Sequence, residues 1–196
     1  MLKEDARENL GLANKLTMTV MGGSQGAKSI NNTVVEVLKE FAQDKNMQII
    51  FQTGKKNYEE IIEKLKLVYP AWEQEGNLMV QPYYNDMISV LKASDIVVSR
   101  AGSLSLSEIC ASGAAPILIP FPHAAANHQR INAKYLVEMG ACVYLEDKDL
   151  EPNKLRETIY SLLDNPIKMN YLKQNSSYLA KFDATKNIVN CLKQIV

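Results

Sequence analysis

Cysteine, histidine and tryptophan are scarce in this chain, at 3, 2 and 1 residues of 196. Cys110, Cys142 and Cys191 stand far apart in apolar contexts, which argues against a disulfide framework and for small buried hydrophobes in a reducing cytoplasm. His123 and His128, five residues apart in a loop leading into a helix, have no Cys or carboxylate cluster beside them. No metal site is expected there, and no cofactor. Net charge is absent too: Lys+Arg and Asp+Glu both number 22, so the basic footprint of a nucleic-acid partner is missing. No apolar run approaches the roughly 20 residues of a membrane span. The first residues, MLKEDARENLGL, are too charged for a signal peptide, so a cytoplasmic location is expected. There are no repeats, no low-complexity segment and no linker, which leaves residues 1–196 as a single domain.

What is present is a regular alternation of apolar periods. Residues 2–10 read as a short polar helix, 16–21 as a strand ending at Gly22-Gly23, and 26–43 as a helix carrying Ala27, Ile30, Val34, Leu38 and Phe41. Then come a strand at 47–51, a charged amphipathic helix at 55–67, a strand at 78–80 closed by Pro82, and a short helix near 85–93. Next are a strand at 95–98, a helix at 104–112, a strand at 115–119, a helix at 127–139 and a strand at 141–145. From about 152 onward the pattern is helical, broken near Pro166 and Asp183. Such βαβα alternation with short connections predicts an α/β fold: a Rossmann-like parallel sheet with helices on both faces.

Ligands of such sheets bind at the carboxyl ends of the strands, and three candidate elements fall there. They are Gly22-Gly23-Ser24-Gln25-Gly26, Pro82-Tyr83-Tyr84-Asn85, and Arg100-Ala101-Gly102-Ser103. GGSQG alone says little, because it lacks both the GxGxxG spacing of a dinucleotide fold and the GK[ST] ending of a P-loop. Two glycine turns after two different strands are more specific, since both can converge on one diphosphate. A glycine turn feeding a helix offers free N–H groups and a positive dipole end to an anion. Glu108, one turn further into its helix, is placed to accept hydrogen bonds from sugar hydroxyls; phosphate plus hydroxyls means a nucleotide. Each of these residues also has a plainer reading. Ser105-Leu106-Ser107-Glu108 fits a capping box, Tyr83 and Tyr84 fit core or rim aromatics, and Arg100 fits a partner for a structural carboxylate. Helix 55–67 fits a solvated face.

MGGSQGAKSIN followed by SRAGSLSLSEICASGAAPILIPFPHAAANHQRINA resembles the carboxyl-terminal domain of the MurG glycosyltransferases, a group of glycosyltransferase family 28. The resemblance is strongest at residues 18–33 and 80–145. It implies one half of a two-domain GT-B fold that holds UDP-N-acetylglucosamine as sugar donor. In that reading Ser24, after Gly22-Gly23, contacts the donor diphosphate with Gln25 beside it. Tyr83 stacks near the uracil and the backbone of Tyr84 pairs with its edge. Ser103, Leu104 and Ser105 offer amides and hydroxyls to the diphosphate, with Arg100 and Gly102 in the same donor-binding set. Glu108 binds the ribose, while His128, Gln129 and Asn132 read the N-acetylglucosamine hydroxyls.

The chain also departs from the pattern. Ala124-Ala125-Ala126-Asn127 is less acidic than the Asp-rich family version. The family's amino-terminal acceptor domain, with its HxGGTGGH loop and proposed catalytic base, is not in this chain, nor is the arginine segment that touches the diphosphate. Residues 1–12 thus read as a boundary near the interdomain linker, and no catalytic residue is expected in this chain. The resemblance implies metal-free inverting transfer to a lipid-linked muramoyl-pentapeptide in peptidoglycan synthesis. The whole enzyme would be peripheral on the cytoplasmic face of the membrane. Donor domains of glycolipid or dolichol-linked transferases, or a non-catalytic nucleotide-sugar-binding module, are the other readings.

Overall fold

The computed structural model describes residues 1–194; positions 195 and 196, which the sequence reading places in the last helical segment, lie outside the described residues. The first half runs α1 (Lys3–Asn9), β1 (Leu16–Met21), α2 (Lys28–Ala42), β2 (Met47–Gln52), α3 (Tyr58–Val68), β3 (Leu78–Gln81) and α4 (Met87–Ala93). The second half runs β4 (Ile96–Ser99), α5 (Ser103–Ser112), β5 (Ala115–Leu118), α6 (His128–Glu138) and β6 (Val143–Tyr144). Helices α7 (Pro152–Leu163), α8 (Pro166–Tyr178) and α9 (Ala184–Lys193) follow. Among the described residues the strands form one parallel sheet in the order β3-β2-β1-β4-β5-β6. The chain builds outward from β1 to β3 and then crosses to the other side of β1, so the topological switch point lies between β1 and β4.

Strand period and helix period together place the core. Met18 and Val20 of β1, Ile96 and Val98 of β4, and Ala115 and Ile117 of β5 pack in one large cluster on one face. Ile30, Val34, Leu38 and Phe41 form the helical stripe of α2 that covers this face, beside Ile61 and Leu65 of α3 and Leu155 and Ile159 of α7. Full burial of each such side chain contributes roughly 1.5–3 kcal/mol. The opposite face is covered by smaller clusters, with Val97 against Leu91 and Ile109, and Leu118 against Cys110 and Leu136.

Local chemistry marks the helix ends. Asp86 caps α4 by accepting from the Ser89 N–H at 3.0 Å, and Asn165 caps α8 through the Lys168 N–H at 2.9 Å. Gly113, at φ 79, closes α5.

Several boundaries differ from the sequence reading. Helix α3 begins at Tyr58 and not at residue 55, because Gly54 (φ 81) opens a turn closed by the Asn57 N–H on the Gly54 carbonyl at 3.1 Å. Helix α2 begins at Lys28, because Gly26 sits in the left-handed region at φ 77 and still belongs to the turn. Strand β6 is only Val143–Tyr144, since Gly140 (φ 61) and Ala141 close α6 instead. Their N–H groups donate to Val137 O at 2.9 Å and Leu136 O at 2.8 Å, the two bonds of a Schellman motif. A 3₁₀ turn at Ala125–Asn127, with Ala126 and Asn127 at φ 47 and 55, precedes α6.

Cys110 and Cys142 are buried as expected, and burial pushes the Cys142 thiol up to about 12. Cys191 corrects the expectation: it is exposed on α9, a helix that buries none of its own residues.

A polar hub holds the amino edge of the sheet. Asp95, just before β4, takes Lys3 Nζ at 2.7 Å, Arg7 Nη2 at 2.7 Å and Lys173 Nζ at 2.8 Å, and accepts from the Thr17 N–H at 3.0 Å. One carboxylate thereby joins α1, β1 and α8. Hub and carboxyl-edge loops occupy opposite ends of the strands.

Candidate functional site

The loop after β1 is built on backbone contacts that only glycine allows. Gly26 (φ 77) and Gly54 (φ 81) pack against each other so closely that a Cβ on Gly26 would overlap the Thr53 carbonyl. A Cβ on Gly54 would overlap the Gly26 nitrogen. Asn57 Nδ2 donates to Thr53 O at 3.2 Å and to Gln25 O at 3.3 Å, and Asn31 Nδ2 donates to Thr53 O at 2.7 Å. The result is a stiff loop whose tip, Ser24-Gln25, is exposed to solvent.

Across the switch point, the loop after β4 is held just as firmly. Gln129 Oε1 accepts from the Ala101 N–H at 3.2 Å and the Phe121 N–H at 3.0 Å, while Asn132 Nδ2 donates to Ala101 O at 3.1 Å. Two side chains expected to read sugar hydroxyls therefore hold loop backbone with these groups. His128, at the exposed start of α6, has its Nδ1 2.8 Å from the Ala125 carbonyl.

Arg100 takes the structural partner. Its Nη1 donates to Asp147 Oδ1 at 2.6 Å and to the carbonyls of Ile119 and Pro120, and its Nη2 donates to Ser29 Oγ at 2.8 Å. Ser29 Oγ in turn donates to Asp147 Oδ1 at 2.8 Å, closing a triangle. Asp147 is thus an acid in the cleft that sequence reasoning missed.

Between the two loops lies a cleft of about 690 Å³. Of the expected residues, Gly23, Ser24, Gln25, Arg100, Gly102, Ser105 and Gln129 line it. Helices α2 and α5 both begin at this cleft. Neither has a side-chain cap or an acidic residue in its first turn; α6, α7 and α9 share that state, and what sets α2 and α5 apart is that the loops feeding both line one cleft from the two sides of the switch point. Their first amides are free of side-chain acceptors, and both positive dipole ends belong to the same region.

The remaining expected residues sit around this centre. Ser103 and Asn132 line a neighbouring groove between α5 and α6, and Leu104 is exposed beside them. Glu108 lines a separate hollow of about 300 Å³ between α4 and α5, with Ile88, Leu91 and Lys92. The capping-box reading of Glu108 is excluded, because α5 already begins at Ser103 and Ser105 is its third residue. Tyr83 is 42% exposed, with Lys55 Nζ 5.7 Å from its ring centroid. Tyr84 turns inward: burial pushes its phenol well up, and its hydroxyl donates to Met79 O at 3.3 Å. The Tyr84 N–H donates to Gln52 Oε1 at 2.9 Å.

Ser29, Gln52 and Asp147 escaped the sequence reading. The one available signal was Gln52, a polar residue closing the apolar run Ile49-Ile50-Phe51 at the carboxyl end of its strand. Among the described residues no group of three or more His, Cys, Asp or Glu is disposed to hold a metal ion, and no helix is long and apolar enough to cross a membrane.

A parallel sheet in this order, with two stiff loops and two helix starts around its switch point, defines a Rossmann-like α/β domain, one half of the GT-B glycosyltransferase architecture. The chain belongs to the family described as the glycosyltransferase family 28 C-terminal domain, whose profile matches residues 17–189.

It is similar to the UDP-N-acetylglucosamine–N-acetylmuramyl-(pentapeptide) pyrophosphoryl-undecaprenol N-acetylglucosamine transferase of Desulforamulus reducens. The identity is 39% over 195 residues, covering 99% of this chain and 52% of that protein. The enzyme of the same name from Desulfitobacterium hafniense is 42% identical over 192 residues, covering 97% and 52%. The crystal structure of Acinetobacter baumannii MurG superposes with a TM-score of 0.76 at 26% identity, covering 99% of this chain and 53% of the other. The chain spans about half the length of the curated relatives it matches, and the family resemblance read from its motifs holds across nearly its whole length.

Proposed function

We propose that this chain binds UDP-N-acetylglucosamine and forms the donor half of an inverting transferase that moves N-acetylglucosamine to a lipid-linked muramoyl-pentapeptide at the membrane surface. The observation that carries this reading is the convergence of two helix N-termini without side-chain caps, α2 and α5, on one cleft at the switch point. A diphosphate is the ligand that satisfies both ends at once. Ser24, Gln25, Ser103 and Ser105 add polar groups at the same loops, and Gly23 and Gly102 let backbone approach the phosphates. Arg100, fixed by Asp147 and Ser29, keeps the β4 loop, the β6 loop and the start of α2 in register around the cleft. Glu108 takes the ribose hydroxyls, Tyr83 stacks on the uracil, and the Tyr84 carbonyl pairs with its edge. His128, Gln129 through its free amide nitrogen, and Asn132 face the sugar side.

In the transfer, the acceptor hydroxyl attacks the anomeric carbon while UDP departs from the opposite face. Charge grows on the leaving diphosphate, so amides already aimed at it lower the transition state more than the ground state. The base that removes the acceptor proton and the acceptor site belong to a second domain. The described residues therefore supply the donor half of the reaction.

Calorimetry on the chain should give clear preference for UDP over ADP and GDP. The UDP affinity should be closely similar in excess EDTA and in millimolar magnesium, because helix amides and serine hydroxyls supply the positive field. Equal binding of the three nucleotides would remove the uracil-reading role of Tyr83-Tyr84. A loss of about tenfold on chelation would reveal a bridging cation.

Glu108 gives a sharper test. A charge-assisted hydrogen bond to ribose contributes roughly 1.5–3 kcal/mol, so Glu108→Gln should weaken UDP binding by about tenfold or more. Since the Glu108 side chain makes no hydrogen bond among the described residues and caps nothing, the melting temperature should stay unchanged. Full UDP affinity in this variant would place the ribose elsewhere.

A further inference from the structure

We infer that Gln52 is a positioning residue for donor recognition: its side-chain amide links the diphosphate loop 22–26 to the nucleobase loop 82–86 and so sets the distance between their two subsites. The inference rests on the donor-binding reading above.

Gln52 is the last residue of β2, paired with Met21 of β1 on one side and Gln81 of β3 on the other. The two loops leave the sheet immediately beyond those neighbours, so Gln52 stands between them. It is 2% exposed. Its Nε2 donates to the Gly23 carbonyl at 3.3 Å, and its Oε1 accepts from the Tyr84 N–H at 2.9 Å. One end must donate and the other must accept, at equal reach; a primary amide does both. A carboxylate would face the Gly23 carbonyl with a second acceptor, and an aliphatic chain would leave both loop groups without a protein partner.

The same strand supplies the comparison. Gln48, at the opposite end of β2 and equally buried, exchanges hydrogen bonds with the Ala13 backbone at 2.7 and 3.2 Å and so anchors the segment entering β1. Gln48 works at the amino edge, away from the cleft. Gln52 works at the carboxyl edge, where two ligand-facing loops need a fixed spacing. Gln129 does the equivalent work across the switch point, where one amide oxygen gathers the loops after β4 and β5.

UDP must engage both loops at once, whereas inorganic pyrophosphate engages only the first. Fixing the spacing before the ligand arrives removes an ordering cost that only the two-point ligand would otherwise bear. The test is competition calorimetry with UDP, ADP and inorganic pyrophosphate on the wild-type chain, Gln52→Met and Gln52→Asn. Methionine matches the volume without hydrogen bonds, and asparagine keeps the amide but falls short of spanning both loops.

For both variants, UDP affinity should drop by about tenfold, pyrophosphate affinity should stay within about twofold, and the preference for UDP over ADP should shrink. If Gln52→Met melts out, Gln52→Asn carries the same comparison. An unchanged UDP-to-ADP preference in a folded variant would overturn the inference. So would an equal loss for all three ligands, which would mark Gln52 as a general support of the fold. A wild-type chain that does not prefer UDP would overturn the donor reading itself, and this inference with it.

Discussion

Asp95→Ala should destabilise the fold by roughly 3–5 kcal/mol, the cost of leaving buried charges without their counterion. Lys3, Arg7 and Lys173 all converge on this carboxylate, whose side chain is 13% exposed. Burial by itself would raise the Asp95 pKa, but hydrogen bonds from Lys173 and Lys3 overturn that and bring it from the usual 3.8 to about 2. A carboxylate depressed in the folded state contributes stability that is fully present above its unfolded value. That contribution is lost as pH falls from about 4 through about 2. Burial leaves Lys3 below the usual lysine value despite its contact with Asp95, so losing one cation should cost less than losing the shared anion. Urea denaturation of Asp95→Ala, Lys3→Met and the unmodified chain between pH 7 and pH 2.5 measures this. The Asp95 variant should lose Asp95's share of the acid limb of the stability curve and show a shallower fall, and its folded fraction should retain UDP affinity because the hub lies at the edge opposite the cleft. A loss under about 1 kcal/mol would show that the cluster behaves as an exposed surface pair.

Gly54→Val should damage the site more than the fold. Residue 54 lies at φ 81, a region that costs a β-branched residue roughly 1–3 kcal/mol. The added Cβ would also overlap the Gly26 nitrogen and the Gln25 carbonyl, which belong to the neighbouring loop and not to a yielding side chain. The route open to the structure is to push the tip Ser24-Gln25 away from the sheet. UDP affinity should therefore fall by well over about tenfold, beyond what the stability loss accounts for. Gly76→Val is the matched control: it has a similar φ of 68, but a Cβ there meets nothing within 4 Å. It should show the strain cost and bind UDP normally. Equal binding by the two variants would mean that the 22–26 loop does not position the diphosphate.

Much of this molecule is readable along the chain because the deciding forces act between near neighbours. Ile30, Val34, Leu38 and Phe41 recur with the helix period and could only form a stripe. Asp86 and Asn165 stand directly before their helices, and Gly113 directly after one, so caps and ends follow from chemistry within four residues. The fold class and the element order were determined in this way.

What each site side chain touches was a different matter. Arg100 reads equally well as a phosphate ligand or a structural partner, and the choice fell to Asp147, 47 residues further on, with Ser29 on another helix. Glu108 reads equally well as a cap, and only the observed start of α5 freed it. Gln52 carries no pattern at all beyond its polarity. Its role exists because the strand order puts β2 between β1 and β3 and brings Gly23 and Tyr84 to either end of one amide. Local periodicity determined the elements, since hydrogen bonding and burial repeat with fixed spacing along the chain. The tertiary structure decided the partners, since contacts between distant residues depend on which strands lie side by side, and no spacing in the sequence encodes that order.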